Sequence, residues 1–180
     1  MQDGMKWIKW LMVALCAVML SHADFSSFSD FDFTAQPKLQ GKESKPAKHE
    51  QVEQENWAYE VAAENKSAKD YADVEFKYIL FRKEALIGNA AGASKMVRKA
   101  GSAKTPAVAA HTRFTFKTEP IMIQKTQLIG RRWSTGANSR DWDVLEGIWI
   151  KVFAGGKQVG EFTVPQGLGN REKWDAPGTP

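Results

Sequence analysis

The residues best suited to binding chemistry form one aromatic and cationic cluster. Arg131, Arg132 and Trp133 are consecutive, and Trp142 follows in the same stretch of chain. Exposed indole rings stack on flat apolar surfaces such as sugar rings, and guanidinium groups pair with carboxylates. These four residues predict a ligand-contacting surface. Packing of both tryptophans against the edge of the fold is the preferred interpretation, because tryptophan is mostly buried on average.

Acidic side chains cluster in residues 138–146. Asp141, Asp143 and Glu146 are close enough in sequence to suggest calcium ligation, which requires many oxygen donors. The spacing does not match an EF-hand loop and Arg140 interrupts it, so carboxylates that cap backbone amides in turns are the preferred interpretation. The same three acids are the candidates for a secreted hydrolase, whose paired acids must face each other across a cleft.

Cysteine and histidine chemistry is sparse. The sequence has a single cysteine, Cys16, and three histidines, with no second histidine or cysteine at zinc-ligand spacing. His111 is the only histidine of the folded region that could act as a general base, and no Gly-x-Ser-x-Gly elbow or phosphate-binding loop accompanies it. The sequence therefore predicts no metal, no cofactor and no catalytic activity.

Residues 1–23 have the composition of a cleavable signal peptide. Lys6 and Lys9 supply the basic start, and residues 10–20 form an apolar run that is too short to span a bilayer. Small residues at Ser21 and Ala23 complete a cleavage site. The pattern predicts a secreted or periplasmic protein that touches the membrane only through its leader before cleavage.

Two alternatives to cleavage before Asp24 are less favoured. An uncleaved anchor would need a longer apolar span. Lipid attachment at Cys16 would need a small residue before it, and Leu15 occupies that place. Cleavage at the predicted site would remove the only cysteine, so neither a disulfide nor thiol chemistry would remain.

Residues 24–55 are predicted to be a disordered N-terminal arm. The first part contains four phenylalanines separated by small and acidic residues, and the second part is rich in Lys, Glu, Gln and Pro. Such a composition buries too little apolar surface to offset the entropy of ordering the chain. Residues 175–180 are predicted to be a flexible tail, and residues 56–174 to be one folded domain. The four phenylalanines are Phe25, Phe28, Phe31 and Phe33.

The folded region consists mostly of predicted strands. Apolar and polar residues alternate in 57–64, 74–81 and 112–117, which is typical of strands with one buried face. Residues 121–129 form another predicted strand, and residues 145–164 predict a central strand, a tight hairpin and a returning strand. Six or seven strands without a convincing helix favour an all-β antiparallel sandwich, with a closed barrel as the alternative.

A long loop is predicted over residues 84–110. The segment is rich in Ala, Gly, Lys and Ser, and Gly88, Gly92 and Gly101 are spread through it. A short helix near residues 94–99 is the alternative. A loop of this length in a compact domain is usually functional or disordered.

The first strands resemble the opening of bacterial immunoglobulin-like modules. The matching stretches are Trp-Ala-Tyr-Glu-Val at 57–61, Glu-Asn-Lys-Ser at 64–67 and the strand at 73–81. The resemblance implies an immunoglobulin-like β-sandwich.

Later stretches resemble a small family of short secreted bacterial proteins of unassigned function. These stretches are residues 145–153, 156–162 and 171–174. This resemblance implies an exported protein and assigns no functional residue, because the matching positions are core and turn positions.

The sequence predicts a secreted non-catalytic binding or structural module of the cell envelope or extracellular space. This prediction combines the leader, the arm, the compact β-domain and the lack of a recognisable catalytic set. The expected partner is a protein or a glycan of the envelope. The formal net charge of +4 is too small to indicate a nucleic-acid partner. A carbohydrate-binding module and a secreted hydrolase that uses acidic residues remain the alternatives.

Overall fold

The computed structural model describes residues 29–47, 49–86, 93–129 and 140–174. Within these ranges, no helix has the length and apolar character needed to cross a membrane. The predicted signal peptide at 1–23 and the predicted tail at 175–180 lie outside the described residues. Residues 24–28, where the predicted arm begins, lie outside them as well.

Two antiparallel sheets pack face to face, which confirms the predicted all-β sandwich and favours it over a closed barrel. Sheet A has the strand order β1-β2-β6-β7, with β5 also paired to β2, and sheet B has the order β4-β3-β8-β9. The described residues form nine strands, more than the six or seven predicted. In chain order they are β1 (Phe31–Ala47), β2 (Glu50–Asn65), β3 (Tyr71–Ala85), β4 (Ser94–Val108), β5 (Arg113–Lys117), β6 (Ile121–Leu128), β7 (Arg140–Trp142), β8 (Val144–Ala154) and β9 (Lys157–Val164), followed by the one-turn helix α1 (Leu168–Arg171).

The main core lies where the alternating patterns place it. Tyr59 and Val61 of β2 face Phe76 and Leu80 of β3, and all four are at most 3% exposed. Strand β8 is buried on both faces, as its continuous apolar run predicts, because Trp149 contributes to a second cluster on the outer face of sheet B. Helix α1 and Trp174 cover that second cluster. The hairpin between β8 and β9 also forms as predicted, with positive φ at both of its turn glycines.

The prediction of a disordered arm over 24–55 is wrong for residues 31–47 and 50–55. Strand β1 pairs with β2 along nearly its whole length, from Phe31 opposite Asn65 to Ala47 opposite Glu50. Phe31 and Phe33 are 3% and 7% exposed, so half of the phenylalanine-rich segment belongs to the core. Composition misjudged the segment because backbone pairing with a neighbouring strand orders residues that bury little apolar surface themselves.

The prediction of a long loop over 84–110 is also wrong for residues 94–108, and so is the alternative of a short helix at 94–99, whereas residues 87–92 lie outside the described residues. Strand β4 occupies most of this segment and pairs with β3 throughout. Gly101 serves the pairing, because a Cβ at that position would come within 2.4 Å of the Tyr78 hydroxyl. Pro106 is tolerated because β4 is an edge strand of sheet B.

Candidate binding face

The chain changes sheets at Asp143, between β7 of sheet A and β8 of sheet B. The Asp143 backbone N–H donates to the Gln124 carbonyl at 2.9 Å, which continues the pairing of β6 with β7. The Asp143 carboxylate accepts from the backbone N–H of Gln124 and from that of Ala85, each at 3.0 Å. One side chain thus joins β6 of sheet A to β3 of sheet B. This is a corner of the kind at which strands pass between packed sheets.

Arg82 completes the corner from sheet B. Its Nη1 lies 3.5 Å from the Asp143 carboxylate and donates to the Met122 carbonyl at 2.6 Å. Asp143 is only 8% exposed, and its carboxylate is therefore desolvated but surrounded by donors. The Asp143 carboxylate does bond backbone amides, but these belong to the distant strands β3 and β6 and not to the local turn that the sequence predicted.

The small cleft at this corner measures about 150 Å³ and is lined by Arg82, Glu84, Asp141 and Asp143 among others. Ligand pockets are usually at least about twice that volume. In the described part of the chain, no three His, Cys, Asp or Glu side chains are grouped so that they could hold a metal ion. The calcium hypothesis for 138–146 therefore finds no support among the described residues.

Trp142 lies next to the corner, at the edge of sheet A, and is 50% exposed. Its direct neighbour across the sheet is Lys125 of β6, which in turn lies opposite Glu53 of β2. Directly opposed residues of antiparallel strands point to the same face. Trp142, Lys125 and Glu53 consequently form one row across three strands, next to Ser44 of β1.

A second row lies one pleat further along the same face. Arg140 is opposite Gln127, and Gln127 is opposite Gln51. The Arg140 guanidinium carbon lies 6.0 Å from the centre of the Trp142 ring, at the outer limit of a cation–π contact. We call the surface made by Glu53, Lys125, Gln127, Arg140 and Trp142 the Trp142 face.

An ion-pair network connects the strands beneath the Trp142 face. Lys125 Nζ lies 2.8 Å from Glu55 Oε1 and 3.8 Å from Glu53 Oε1. Lys42 Nζ reaches the same two carboxylates from β1, at 2.8 Å from Glu53 and 3.6 Å from Glu55. The Trp57 indole N–H donates to Glu55 at 2.9 Å. The network links three strands and fixes the lysine heads over β2.

Glu55 is the buried member of the network, at 5% exposure. The Lys125 ammonium lowers the pKa of Glu55 to about 2, because its hydrogen bond stabilises the carboxylate against the opposing cost of burial. The Trp57 indole N–H acts in the same direction. Glu55 is therefore charged at neutral pH.

The four predicted site residues divide into two groups. Trp142 is on the surface, and half of its area is exposed, as the binding hypothesis requires. Arg131, Arg132 and Trp133 lie outside the described residues. Sequence reasoning missed Arg140, Lys125 and Glu53 as companions of Trp142, since only the strand register brings them together.

A larger cavity of about 640 Å³ lies at the other end of β3, between the starts of β1 and β3 and the β8–β9 hairpin. Asp30, Tyr71, Lys157 and Glu161 are among its lining residues. The Tyr71 hydroxyl donates to the Asp30 carboxylate, which raises the pKa of the phenol. Trp142, the predicted site residue that the structure describes, does not line this cavity.

No protein-family model and no curated protein matches the sequence. Among solved structures, a Northeast Structural Genomics Consortium target aligns with a TM-score of 0.40 and 9% identity, covering 74% of this chain and 85% of that chain. A Bacteroides uniformis β-glucuronidase aligns at 0.35 and 7% identity, covering 74% of this chain and only 14% of that enzyme. The ApaA protein of Bordetella pertussis aligns at 0.31 and 11%, covering 75% and 94%. Similarity at this level carries no argument about activity.

Proposed function

We propose that this protein is a secreted, non-catalytic binding module of the cell envelope or extracellular space, and that the Trp142 face contacts its partner. The observation that carries the proposal is the exposure of Trp142, which is 50% exposed on a short strand next to a tightly bonded corner. An exposed indole on an ordered surface contributes a large, rigid contact area at little entropic cost.

The corner supports the proposal by fixing where Trp142 points. Asp143 is bonded to both sheets, and Trp142 is its immediate neighbour in β7. A side chain presented by such a rigid element loses little freedom on binding, so more of the contact energy remains as affinity. The use of Asp143 in these bonds also leaves the acidic segment with fewer free carboxylates for acid–base catalysis.

Export is the second part of the proposal, and its support is the basic start, apolar run and small-residue site of residues 1–23. We expect a bacterial host that expresses the whole chain to release a protein whose first residue is Asp24. N-terminal sequencing of the exported product tests this expectation. A product that keeps residues 1–23 and stays with the membrane would identify an anchor and contradict the cleavage.

The binding role is tested with the chain from residue 24 onward. We expect Trp142→Ala to reduce retention on envelope and extracellular polymer preparations at least about tenfold, while the melting temperature changes little. Leu39→Ala is the matched control, because Leu39 is 46% exposed on β1, three strands away from β7 in sheet A. Equal retention of both variants would reject the Trp142 face. Turnover of a polysaccharide, peptide or ester that is lost on Asp141→Asn would reject the non-catalytic role.

A further inference from the structure

We propose that Arg140 and Trp142 form a subsite for a carboxylated sugar, such as a uronic acid unit of an extracellular polysaccharide. This inference rests on the proposed function and names the ligand class for the Trp142 face. Its first support is placement: both side chains are exposed, two residues apart on the same face of β7, with the guanidinium 6.0 Å from the ring centre.

Charge distinguishes Arg140 from the other cations of the face. Lys42 and Lys125 are each within 4 Å of both Glu53 and Glu55. Among the residues that the structure describes, no carboxylate lies within that distance of Arg140. Among the cations of the Trp142 face, the Arg140 guanidinium is therefore the one that can form an ion pair with a ligand carboxylate.

The geometry of the pair fits a flat ring with an acidic substituent at its edge. The apolar face of a pyranose packs on an indole ring through C–H groups, and a carboxylate at the ring edge then points sideways from the stack. The two residues are about 7 Å apart at the backbone, and the Arg140 guanidinium carbon lies over the Trp142 ring at 6.0 Å from its centre, where it can meet a substituent at the edge of a stacked sugar. A guanidinium binds a carboxylate through two parallel hydrogen bonds, which a neutral sugar cannot provide.

Gln127 adds polar contacts beside the pair. It lies directly opposite Arg140 in the register of β6 and β7 and is half-buried. Its amide can both donate to and accept from sugar hydroxyls. The Trp142 face thus combines a stacking surface, one available cation and an amide, which together favour an acidic sugar over a simple polyanion.

The test compares polygalacturonate with its methyl-esterified form, because the two polymers differ in the charge of the carboxyl group. We expect the chain from residue 24 onward to bind polygalacturonate about tenfold more tightly than the ester in isothermal titration at low salt. Arg140→Gln should remove that preference and leave weak binding to both. Trp142→Ala should weaken binding to both polymers, and Leu39→Ala should change neither. Arg140→Lys should retain only part of the preference, because an ammonium lacks the planar fork.

Each outcome separates this inference from the proposed function. Equal affinity for the acid and the ester would overturn the carboxylate subsite and retain a sugar-binding face. Binding to polyglutamate or dextran sulfate as tight as to polygalacturonate would also overturn it, because charge alone would then explain recognition. If the protein is retained on the envelope through Trp142 and yet binds none of these polymers, that result would overturn the carboxylate subsite and leave the proposed function standing. If Trp142 variants are retained on the envelope as well as the parent protein, the proposed function itself is rejected.

Discussion

The two ends of the β1–β2 hairpin are held in different ways. At the end where β1 begins, Phe31 and Phe33 insert into the sandwich, and Phe31 packs edge-on against Phe76 with ring centres 6.1 Å apart. At the other end, residues 36–46 are exposed, and Lys42 reaches two carboxylates of β2 instead of a core. One strand is therefore specified by burial in its first part and by backbone pairing and ion pairs in its second.

The comparison shows why the polar end is suited to binding. At the aromatic end, Phe31 and Phe33 are buried in the core, so they stabilise the fold and cannot contact a partner. The polar end is ordered mainly through its backbone and a few charged groups, and its Glu53 belongs to the Trp142 face, where Trp142 of β7 is half exposed. The following predictions test this division, from the largest expected effect to the smallest.

Phe31→Ala should destabilise the protein by about 3–5 kcal/mol, because it leaves a cavity among Phe33, Tyr71 and Phe76. Chemical denaturation followed by tryptophan fluorescence measures the change. A loss below about 1 kcal/mol would mean that the start of β1 is not part of the core.

Asp143→Asn should cost about 2–3 kcal/mol. The amide keeps the shape but loses one acceptor, which leaves the backbone N–H of Gln124 or Ala85 and the Arg82 head without a full partner. The midpoint of urea unfolding measures the effect. Asp141→Asn is the control, since Asp141 is only half-buried on the neighbouring strand, and an equal effect in both variants would contradict the corner.

Glu55→Gln should cost no more than about 2 kcal/mol at pH 7, and the cost should depend on pH. The pKa of Glu55 is about 2 in the folded protein against an ordinary 4.5. Because folding lowers this pKa, its stabilising contribution is complete above about pH 5 and is lost as the pH falls through 4.5 towards 2. Unfolding midpoints at pH 7 and pH 3 should therefore differ less in the variant than in the parent. If the difference between the midpoints at pH 7 and pH 3 is the same in the variant and the parent, Glu55 does not contribute to stability through this ion-pair network.

Lys42→Ala should have the smallest effect on the unfolding midpoint, close to none, because its side chain is 49% exposed and water screens its ion pairs. The same denaturation measurement applies. A loss comparable to that of Phe31→Ala would show that ion pairs, and not the backbone ladder, order the polar end.

Sequence patterns predicted the body of the fold because the signal was local. In β2 and β3, apolar side chains alternate with polar ones over the residues that face the core, so each strand and its buried face could be recognised without its neighbours. The Gly155–Gly156 turn was equally local. The same reasoning failed for β1 and β4, whose order comes from pairing with β2 and β3 and not from their own apolar content.

The sequence by itself determined an all-β chain with an alternating core and named Trp142 as a candidate contact residue. Only the tertiary structure decided that Asp143 joins the two sheets, that Lys125 and Arg140 flank Trp142, and that half of the indole is exposed. The reason is physical: alternation along one strand fixes which face is buried, whereas the neighbours of a side chain across a sheet depend on register, which residues far apart in the chain set together.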